Sequence, residues 1–504
     1  MSVRPSGIRR AGQELRALLG LPAGPPEAVT GVTLDSRSVQ PGDVYAALPG
    51  FNTHGARFGA MAQESGAAAI LTDPAGAAIL AQSGVDLPIL VVPDPRGRLG
   101  EVSDWLYDHP SRAMATAGIT GTNGKTTTSY LLDAALRVDG RRTGVVGTVA
   151  IQIDDETLPA TRTTPEAPDL HAILAVMRQR GAWAVTMEVS SHALTLGRVD
   201  GVRFDVAVFT NLSQDHLDFH GDMEQYFLAK AGLFTRERTD SALVCVDDAW
   251  GRRLADLAAA AGLPVTTYAV DGEADWSVRD VEPADQGAQT FTVSGPGGLE
   301  LTGGVGLAGR FNVANALAAL AAAAHLGVDP RQAAPAIAAC PGVPGRMERV
   351  RVGQAFLAIV DYAHTPDAVA RAIEAARQVV TGRVVTVLGC GGDRDRAKRP
   401  DMGEVAARLS DVLVVTDDNP RSESAAAIRE AIMEGTLRVD GRLRAEVLVE
   451  GDRARAIGIA AGMARPEDAV LVLGKGHEQG QEAGGVITPF DDRVELRRAM
   501  EGLS

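Results

Sequence analysis

Cysteine is scarce in this 504-residue chain: only Cys245, Cys340 and Cys390 are present, an odd number without the paired spacing of a metal-binding motif. That excludes a disulfide framework and a zinc cluster, leaves all three thiols structural, and fits a reducing cytoplasm. An excess of positive charge is also lacking. Lysine and arginine number 49 against 64 aspartates and glutamates, a formal net charge of -15, and a surface of that sign repels nucleic-acid backbones and anionic membranes. Anionic substrates must therefore be met by local basic pockets. Long apolar runs are missing as well. The most apolar stretch, 314–328, is alanine-rich, contains His325 and is too short to span a bilayer, so it reads as a buried helix. Arg4, Arg9, Arg10, Glu14 and Arg16 are scattered where a signal peptide would carry its apolar core. Neither membrane insertion nor secretion is expected, and no repeat, low-complexity segment or long linker is visible.

What is present is enough apolar material, 45% of residues, for several cores, and the length suggests about three domains. Strand-like runs ending in polar loops, with Pro/Gly-rich connections between, divide the chain into three α/β blocks, 1–112, 113–343 and 344–504. The first contains a strand candidate, 42–48, whose task periodicity does not reveal. In the second, Gly121-Thr122-Asn123-Gly124-Lys125-Thr126-Thr127 lies between an apolar stretch and a helix-like one, the strand–loop–helix context of a phosphate-binding loop. Glycines let the backbone approach the phosphates, the helix N-terminus favours the anion, Lys125 places a cation on the β/γ oxygens and Thr126 can ligand Mg²⁺. The spacing departs from the usual loop, since Ile119 stands where a glycine would precede the Gly-Lys pair by five residues.

Two further strands of the middle block, 184–187 and 206–209, run into polar clusters that contain Glu188, Ser190, His192, Asn211, Asp215 and His216. Ligands of open α/β sheets lie beyond the carboxyl ends of the strands, so these clusters are expected to converge on the nucleotide. Glu188 and His216, on strands flanking the one that feeds the loop, are suited to Mg²⁺. The bland alternative has Glu188 cap a helix and His216 make an ordinary loop hydrogen bond; His192 and His220 read equally well as structural. Lys230, placed mid-helix in 223–234, reads by itself as a solvated surface cation. In the third block, strands 384–388, 412–415 and 469–473 end in Gly391-Gly392-Asp393-Arg394-Asp395, Asp418-Asn419-Pro420-Arg421 and Gly474-Lys475-Gly476-His477-Glu478. Mixed charges at one sheet edge suit a small zwitterion better than a second nucleotide.

The run Asn211-Leu212-Ser213-Gln214-Asp215-His216-Leu217-Asp218-Phe219-His220, followed by Lys230 and taken with the phosphate loop, resembles the Mur ligase family. Gly309-Arg310-Phe311-Asn312-Val313-Ala314-Asn315, Pro344-Gly345-Arg346-Met347-Glu348 and Asp361-Tyr362-Ala363-His364-Thr365-Pro366 carry the resemblance over essentially the whole chain. It implies three α/β domains: an N-terminal UDP-binding domain, a central P-loop ATPase-like parallel-sheet domain and a C-terminal Rossmann-like domain. It implies catalytic roles for Lys125, Glu188, His216 and Lys230, with Lys230 carbamylated to N6-carboxylysine, and two Mg²⁺ ions served by Thr126, Glu188, His216 and Lys230. ATP would be held by Gly121, Thr122, Asn123, Gly124, Lys125, Thr126 and Thr127 with Asn315, Arg346 and Asp361. Taken alone, Asp361 could accept ribose hydroxyls and Arg346 could face phosphate, yet either could equally form an interdomain salt bridge.

The N-terminal segments Leu34-Asp35-Ser36-Arg37 and Gly50-Phe51-Asn52-Thr53 resemble those of the branch that extends UDP-N-acetylmuramoyl-L-alanyl-D-glutamate by a third amino acid. That implies substrate contacts from Leu34, Ser36, Asn52, Arg162, Thr163, Thr164, Ser190 and Arg198; Leu196, where some members carry a polar contact, is left out. Lysine and meso-diaminopimelate differ by one distal carboxylate, which the guanidinium of Arg421 can hold bidentately. Lysine-adding relatives lack that arginine, so diaminopimelate is the implied amino acid, met by Arg394, Asp418, Asn419, Pro420, Arg421, Gly474 and Glu478. The plain alternative pairs Arg421 with nearby Glu423 on the surface. The implied reaction is ATP-driven amide formation through an acyl phosphate, by a cytoplasmic monomer without nucleic-acid partners. Three rivals stay open: lysine addition at the same step, a folylpolyglutamate synthetase, which would have no counterpart of residues 1–112 or of Asp418 to Arg421, and a nucleotide-gated scaffold without catalysis.

Overall fold

The computed structural model describes residues 3–50, 52–284 and 287–502; Phe51, quoted above in an N-terminal segment, lies outside the described residues. Each block contributes its own sheet. The first is four parallel strands in the order Gly31–Thr33, Asp43–Ala47, Ala69–Thr72 and Ile89–Val91. A parallel sheet is covered by helices on both faces and its strands are apolar throughout, which is why every residue of Asp43–Ala47 is buried, Asp43 included. The one charge is matched by Arg4, whose Nη2 lies 2.8 Å from Asp43 Oδ2.

The middle sheet has eleven strands. Its heart is parallel, running Thr143–Val146, Ala184–Glu188, Ala115–Thr120, Val206–Phe209, Ala242–Cys245 and Val265–Ala269. Sequence patterning marked the heart and missed the rims, where Ala150–Ile153 with Glu156–Pro159, and Trp276–Pro283 with Gln289–Gly295 and Leu299–Val305, add antiparallel ribbons. The alanine-rich helix is Arg310–His325, buried along most of its length. Its small side chains let it pack closely on the helix Lys125–Leu136 that follows the phosphate loop, so that Thr128 Oγ1 donates to Asn315 Oδ1 at 3.3 Å. The third sheet, in the order Glu348–Arg349, Leu357–Asp361, Ala469–Leu473, Val384–Leu388, Val412–Val415 and Glu446–Val449, is parallel except for its first strand.

The blocks share apolar surface. Ala167, Ala172 and Ala175, from the helix Ala167–Gln179 of the middle block, belong to the core of the first. Lys230 is not mid-helix as expected: Asp222 caps a helix that covers Met223–Ala231 and stops at Gly232, so the lysine sits in its last turn. Nor is it solvated, being 1% exposed. Among the described residues no helix is long and apolar enough to cross a membrane.

Candidate active site

The strand Ala115–Thr120 lies between Ala184–Glu188 and Val206–Phe209, so the loop after it faces the polar ends of both neighbours, as the sequence led us to expect. Gly121 and Gly124 have φ of 149° and 88°. A Cβ at Gly124 would lie 2.4 Å from Asn315 Oδ1, and one at Gly121 1.9 Å from Thr210 Oγ1; only glycine lets the loop wrap this tightly. Asn211 fixes the loop from outside, its backbone oxygen accepting from Thr122 N at 2.9 Å and its Oδ1 from Asn123 N at 3.0 Å. Lys125 curls back, its Nζ donating to Gly121 O at 2.8 Å and Thr122 O at 2.9 Å. Lys230 Nζ donates to the same Gly121 oxygen, also at 2.8 Å. Two buried amines thus share one carbonyl. Burial, with the charge of Lys125 added for Lys230, lowers both from the ordinary lysine value, against the attraction of Glu188 and Asp215 for Lys125 and of Asp215 for Lys230.

Glu188, 1% exposed, ends the neighbouring strand and faces the loop. Its Oε2 accepts from Thr126 Oγ1 and Thr148 Oγ1, both at 3.0 Å, and its Oε1 from Thr148 N at 2.8 Å. No ion pair within 4 Å neutralises it among the described residues, although the guanidinium of Arg346 reaches the Thr126 hydroxyl at 3.1 Å. The carboxylate and that hydroxyl are hard oxygens that fit Mg²⁺. Among the described residues no group of three or more His, Cys, Asp or Glu converges in metal-binding geometry, and the protonated side chain of Lys230 offers only donors. His216, at φ 55°, packs edge-on to His192 with ring centroids 4.8 Å apart. Burial, helped by His192, His364 and Lys230 and opposed by Asp215, pushes its imidazole down to about 3. His220 donates to or accepts from Ser191 Oγ at 2.9 Å, so it and His192 form an aromatic wall.

Asp215 was quoted in the sequence motif but not singled out, and it joins two blocks. Its Oδ1 is 3.4 Å from Lys398 Nζ and its Oδ2 3.7 Å from His364 Nε2. Burial alone would raise its carboxyl, but His364, Lys398 and His216 hold it well below the ordinary range. Arg346 crosses the same boundary, its Nη2 donating to Thr126 Oγ1 at 3.1 Å while its guanidinium lies 4.4 Å over the Tyr362 ring. Asp361 accepts from Met347 N at 2.6 Å and Ala363 N at 2.8 Å, and burial raises its carboxyl despite Arg346.

A single cavity of ≈ 950 Å³ runs from the loop to the third sheet. Of the residues expected to hold ATP it is lined by Thr122, Asn123, Gly124, Lys125, Thr126, Thr127, Asn315, Arg346 and Asp361, and at its far end by Arg394, Asp418, Asn419, Arg421, Gly474 and Glu478. Pro420 and Gly121 are not part of this lining. Arg421 does not pair with Glu423, which Arg399 and Arg396 occupy at 2.8 and 3.2 Å. Its Nη1 donates to Gly392 O at 2.6 Å and its Nε lies 3.4 Å from Glu482 Oε2. The hairpin Gly480–Ala483 with Val486–Pro489, which sequence reading missed, straps this loop: Arg421 N donates to Glu482 O at 3.0 Å and Gly484 N to Arg421 O at 2.7 Å. Arg421 is thereby held at φ 52°, a left-handed conformation costly for a non-glycine residue. Arg394 is exposed to the cavity and makes no ion pair among the described residues.

Of the residues expected at the nucleotide sugar and peptide, Thr163, Ser190 and Arg198 line the same cavity, and Leu34, Ser36, Asn52, Arg162 and Thr164 do not. Thr164 Oγ1 donates to Glu188 O at 2.9 Å and accepts from Ser190 N at 3.1 Å. Arg162 and Arg198 share Glu166 at 2.6 and 3.0 Å, and Arg198 Nε is buried without a hydrogen-bond partner among the described residues. Ser36 is buried against Met61, with Oγ 3.4 Å from Sδ, while Asn52 is exposed.

Comparison with known proteins covers all three blocks. Residues 28–104 match the Mur ligase family catalytic domain, 119–323 the Mur ligase middle domain and 345–476 the Mur ligase glutamate ligase domain. The chain is 55% identical over 94% of its length, and 92% of the relative's, to the UDP-N-acetylmuramoyl-L-alanyl-D-glutamate–2,6-diaminopimelate ligase of Streptomyces avermitilis, and 54% identical over 97% and 96% to that of Streptomyces coelicolor. A solved structure of a ligase of that name aligns with a TM-score of 0.66 at 31% identity, covering 97% of this chain and 98% of its own. The chain belongs to the Mur ligase family.

Proposed function

We propose that this protein is an ADP-forming ligase that joins meso-diaminopimelate to the D-glutamyl γ-carboxylate of UDP-N-acetylmuramoyl-L-alanyl-D-glutamate. One observation carries the reading: the phosphate loop and a mixed-charge receptor containing Arg421, Asn419 and Glu478 open into one cavity, so a phosphorylated intermediate and an amine can meet without crossing water. The extents 1–112, 113–343 and 344–504 serve in this reading as nucleotide-sugar, ATP and amino-acid domains. A carboxylate is too poor an electrophile for direct attack by an amine. Its oxygen therefore attacks the γ-phosphorus in line, ADP departs, and the acyl phosphate is opened by the amino group with loss of phosphate; of the two protons the ammonium gives up, one ends on the departing phosphate and one in solvent. Lys125 and the N-terminus of the helix Lys125–Leu136 balance the phosphoryl charge, and Arg346 reaches in from the third block. Mg²⁺, held by Thr126 and Glu188, would supply further charge neutralisation when bound.

Lys230 is the expected site of a carbamate, in which its neutral amine adds CO₂ and releases one proton. Its depressed proton affinity favours the reactive free amine, and its position against Lys125, both on the Gly121 oxygen, sets two amines together with no carboxylate in ion-pair contact with either among the described residues. The carbamate turns this repulsion into attraction and gives His216 and Lys230 the oxygens a second ion needs. Asp361 and Asn315 are assigned to the nucleoside of ATP, and Leu34, Ser36 and Asn52 to uridine. We take the enzyme to act as a monomer in the cytoplasm, where its nucleotide substrates are found. The test supplies UDP-muramoyl-dipeptide, ATP and an equimolar mixture of lysine and diaminopimelate, and reads the product by mass spectrometry. Diaminopimelate incorporation with stoichiometric ADP is expected; a lysine product, or no amine-dependent ADP, refutes the reading.

A further inference from the structure

Lys475 has no exposed side chain at all, although it lies in a turn between Gly474 and Gly476 at the rim of the third sheet. Its Nζ donates to Asn419 Oδ1 at 2.9 Å and to Glu478 Oε2 at 3.3 Å, and stands 3.7 Å from Asp418 Oδ1. An ammonium has donors only, so whichever end of the Asn419 amide it meets must be the oxygen. The backbone N–H of Glu482 donates to that same atom at 3.0 Å and imposes the same orientation. The amide nitrogen is thus turned away from both, and one of its hydrogens goes to Glu478 Oε2 at 2.7 Å. Its second N–H is left for a ligand at the cavity wall that Asn419 helps form.

We propose that Lys475 is a positioning residue that sets the polarity of the amino-acid receptor. By locking Asn419 with its N–H outward and occupying Oε2 of Glu478, it makes the site present a donor for the ligand's carboxylate beside Arg421 and keeps Oε1 of Glu478 for an ammonium. The inference rests on the amino-acid site assigned above and says what holds that site in its working orientation. Without the cation, Asp418 and Glu478 face one another across Asn419, and the amide is free to turn its oxygen to the incoming carboxylate. The buried charge is tolerable because two carboxylates and an amide oxygen surround it.

The test uses the full chain, with Lys475→Met, Asn419→Ala and the double variant, and measures KM and kcat for each substrate. Lys475→Met is expected to raise KM for diaminopimelate roughly 10- to 100-fold, the loss expected of one or two charge-assisted hydrogen bonds. KM for ATP and for the nucleotide substrate should stay within about twofold. Because Lys475 acts through Asn419 as well as Glu478, its loss in the Asn419→Ala background should raise KM at least about threefold less than the same loss in the wild type. Multiplying effects, or an unchanged KM in Lys475→Met, overturns the proposal. Asn419→Ala with unchanged KM for diaminopimelate removes the amino-acid site itself, and the proposal with it. Should Lys475→Met not fold, Asn419→Asp decides: it keeps the acceptor for Lys475 and loses the donor, so a KM as poor as that of Asn419→Ala supports the lock and a KM near wild type refutes it.

Discussion

Arg421→Ala tests the choice of amino acid most directly. The guanidinium carries five N–H donors, of which the protein engages one at Nη1 and approaches another at Nε; Nη2 has no protein partner among the described residues. Two parallel bonds to a distal carboxylate are therefore open to it. Charge-assisted bonds contribute about 1.5–3 kcal/mol each. The side chain is 22% exposed, and solvent screening reduces the pair to about 2–4 kcal/mol, or roughly 30- to 1,000-fold in kcat/KM for diaminopimelate. Lysine should not gain in proportion, because truncation removes an unfavourable neighbour of its ammonium without adding a contact. Amine-dependent ADP release, measured with each amino acid at saturating ATP and nucleotide substrate, gives both numbers. A variant that keeps the wild-type preference for diaminopimelate over lysine refutes the role of Arg421. The backbone supplies an internal control. At φ 52° alanine is strained and glycine is not, so Arg421→Gly should unfold at higher urea than Arg421→Ala, by about 1 kcal/mol, and be equally inactive.

Lys230→Met should reduce amide synthesis roughly 100- to 1,000-fold, partly restored by short carboxylates. Compared with wild-type protein stripped of CO₂ and bicarbonate, so that Lys230 is the unmodified amine, its thermal midpoint should match or exceed that of the wild type, because a buried amine that resists protonation beside Lys125 is removed. The folded-state value of Lys230 lies below its ordinary 10.5, so the penalty is present at neutral pH and the gap should close as pH rises toward about 10. A large loss of stability, or turnover near wild type without rescue, contradicts this account. Glu188→Gln keeps the shape of the Thr126 and Thr148 contacts but removes the anion, and should raise the Mg²⁺ needed for half-maximal ADP release roughly 10- to 100-fold; an unchanged Mg²⁺ requirement counts against Glu188 as a ligand. Arg399 beside Glu423 holds that carboxyl down to about 2, so its stabilisation is complete above the ordinary 4.5 and is lost as pH falls through about 2. Glu423→Gln should cost about 1–2 kcal/mol at pH 7 in urea titrations, a difference that narrows from pH 5 to pH 3; a constant gap argues against the pairing.

Strands were legible where burial on both faces leaves a plain apolar run between polar ends. Val206–Phe209, Val384–Leu388, Val412–Val415 and Ala469–Leu473 begin and stop where the sequence pattern does, and the segments that follow them line part of the cavity, including its amino-acid end. The ribbons at the rims of the middle sheet escaped because Trp276–Pro283 and Leu299–Val305 are half exposed and interrupted by charge or glycine, which weakens both periodicities. The strap Gly480–Ala483 escaped for the same reason, although it decides the conformation of Arg421. Two lysines show the deeper limit. Lys230 closes a helix and Lys475 sits between glycines, and neither context distinguishes a buried lysine from a solvated one. What separates them lies far along the chain. Lys230 meets a carbonyl and another lysine from the phosphate loop, an environment that favours the free amine and calls for an anion; Lys475 meets Asn419, Asp418 and Glu478, an environment that favours the cation and fixes its neighbours. In protein stripped of CO₂ and bicarbonate, removing each to methionine should therefore move stability in opposite directions, unchanged or upward for Lys230 and downward for Lys475, because only the second leaves carboxylates buried without their counter-charge.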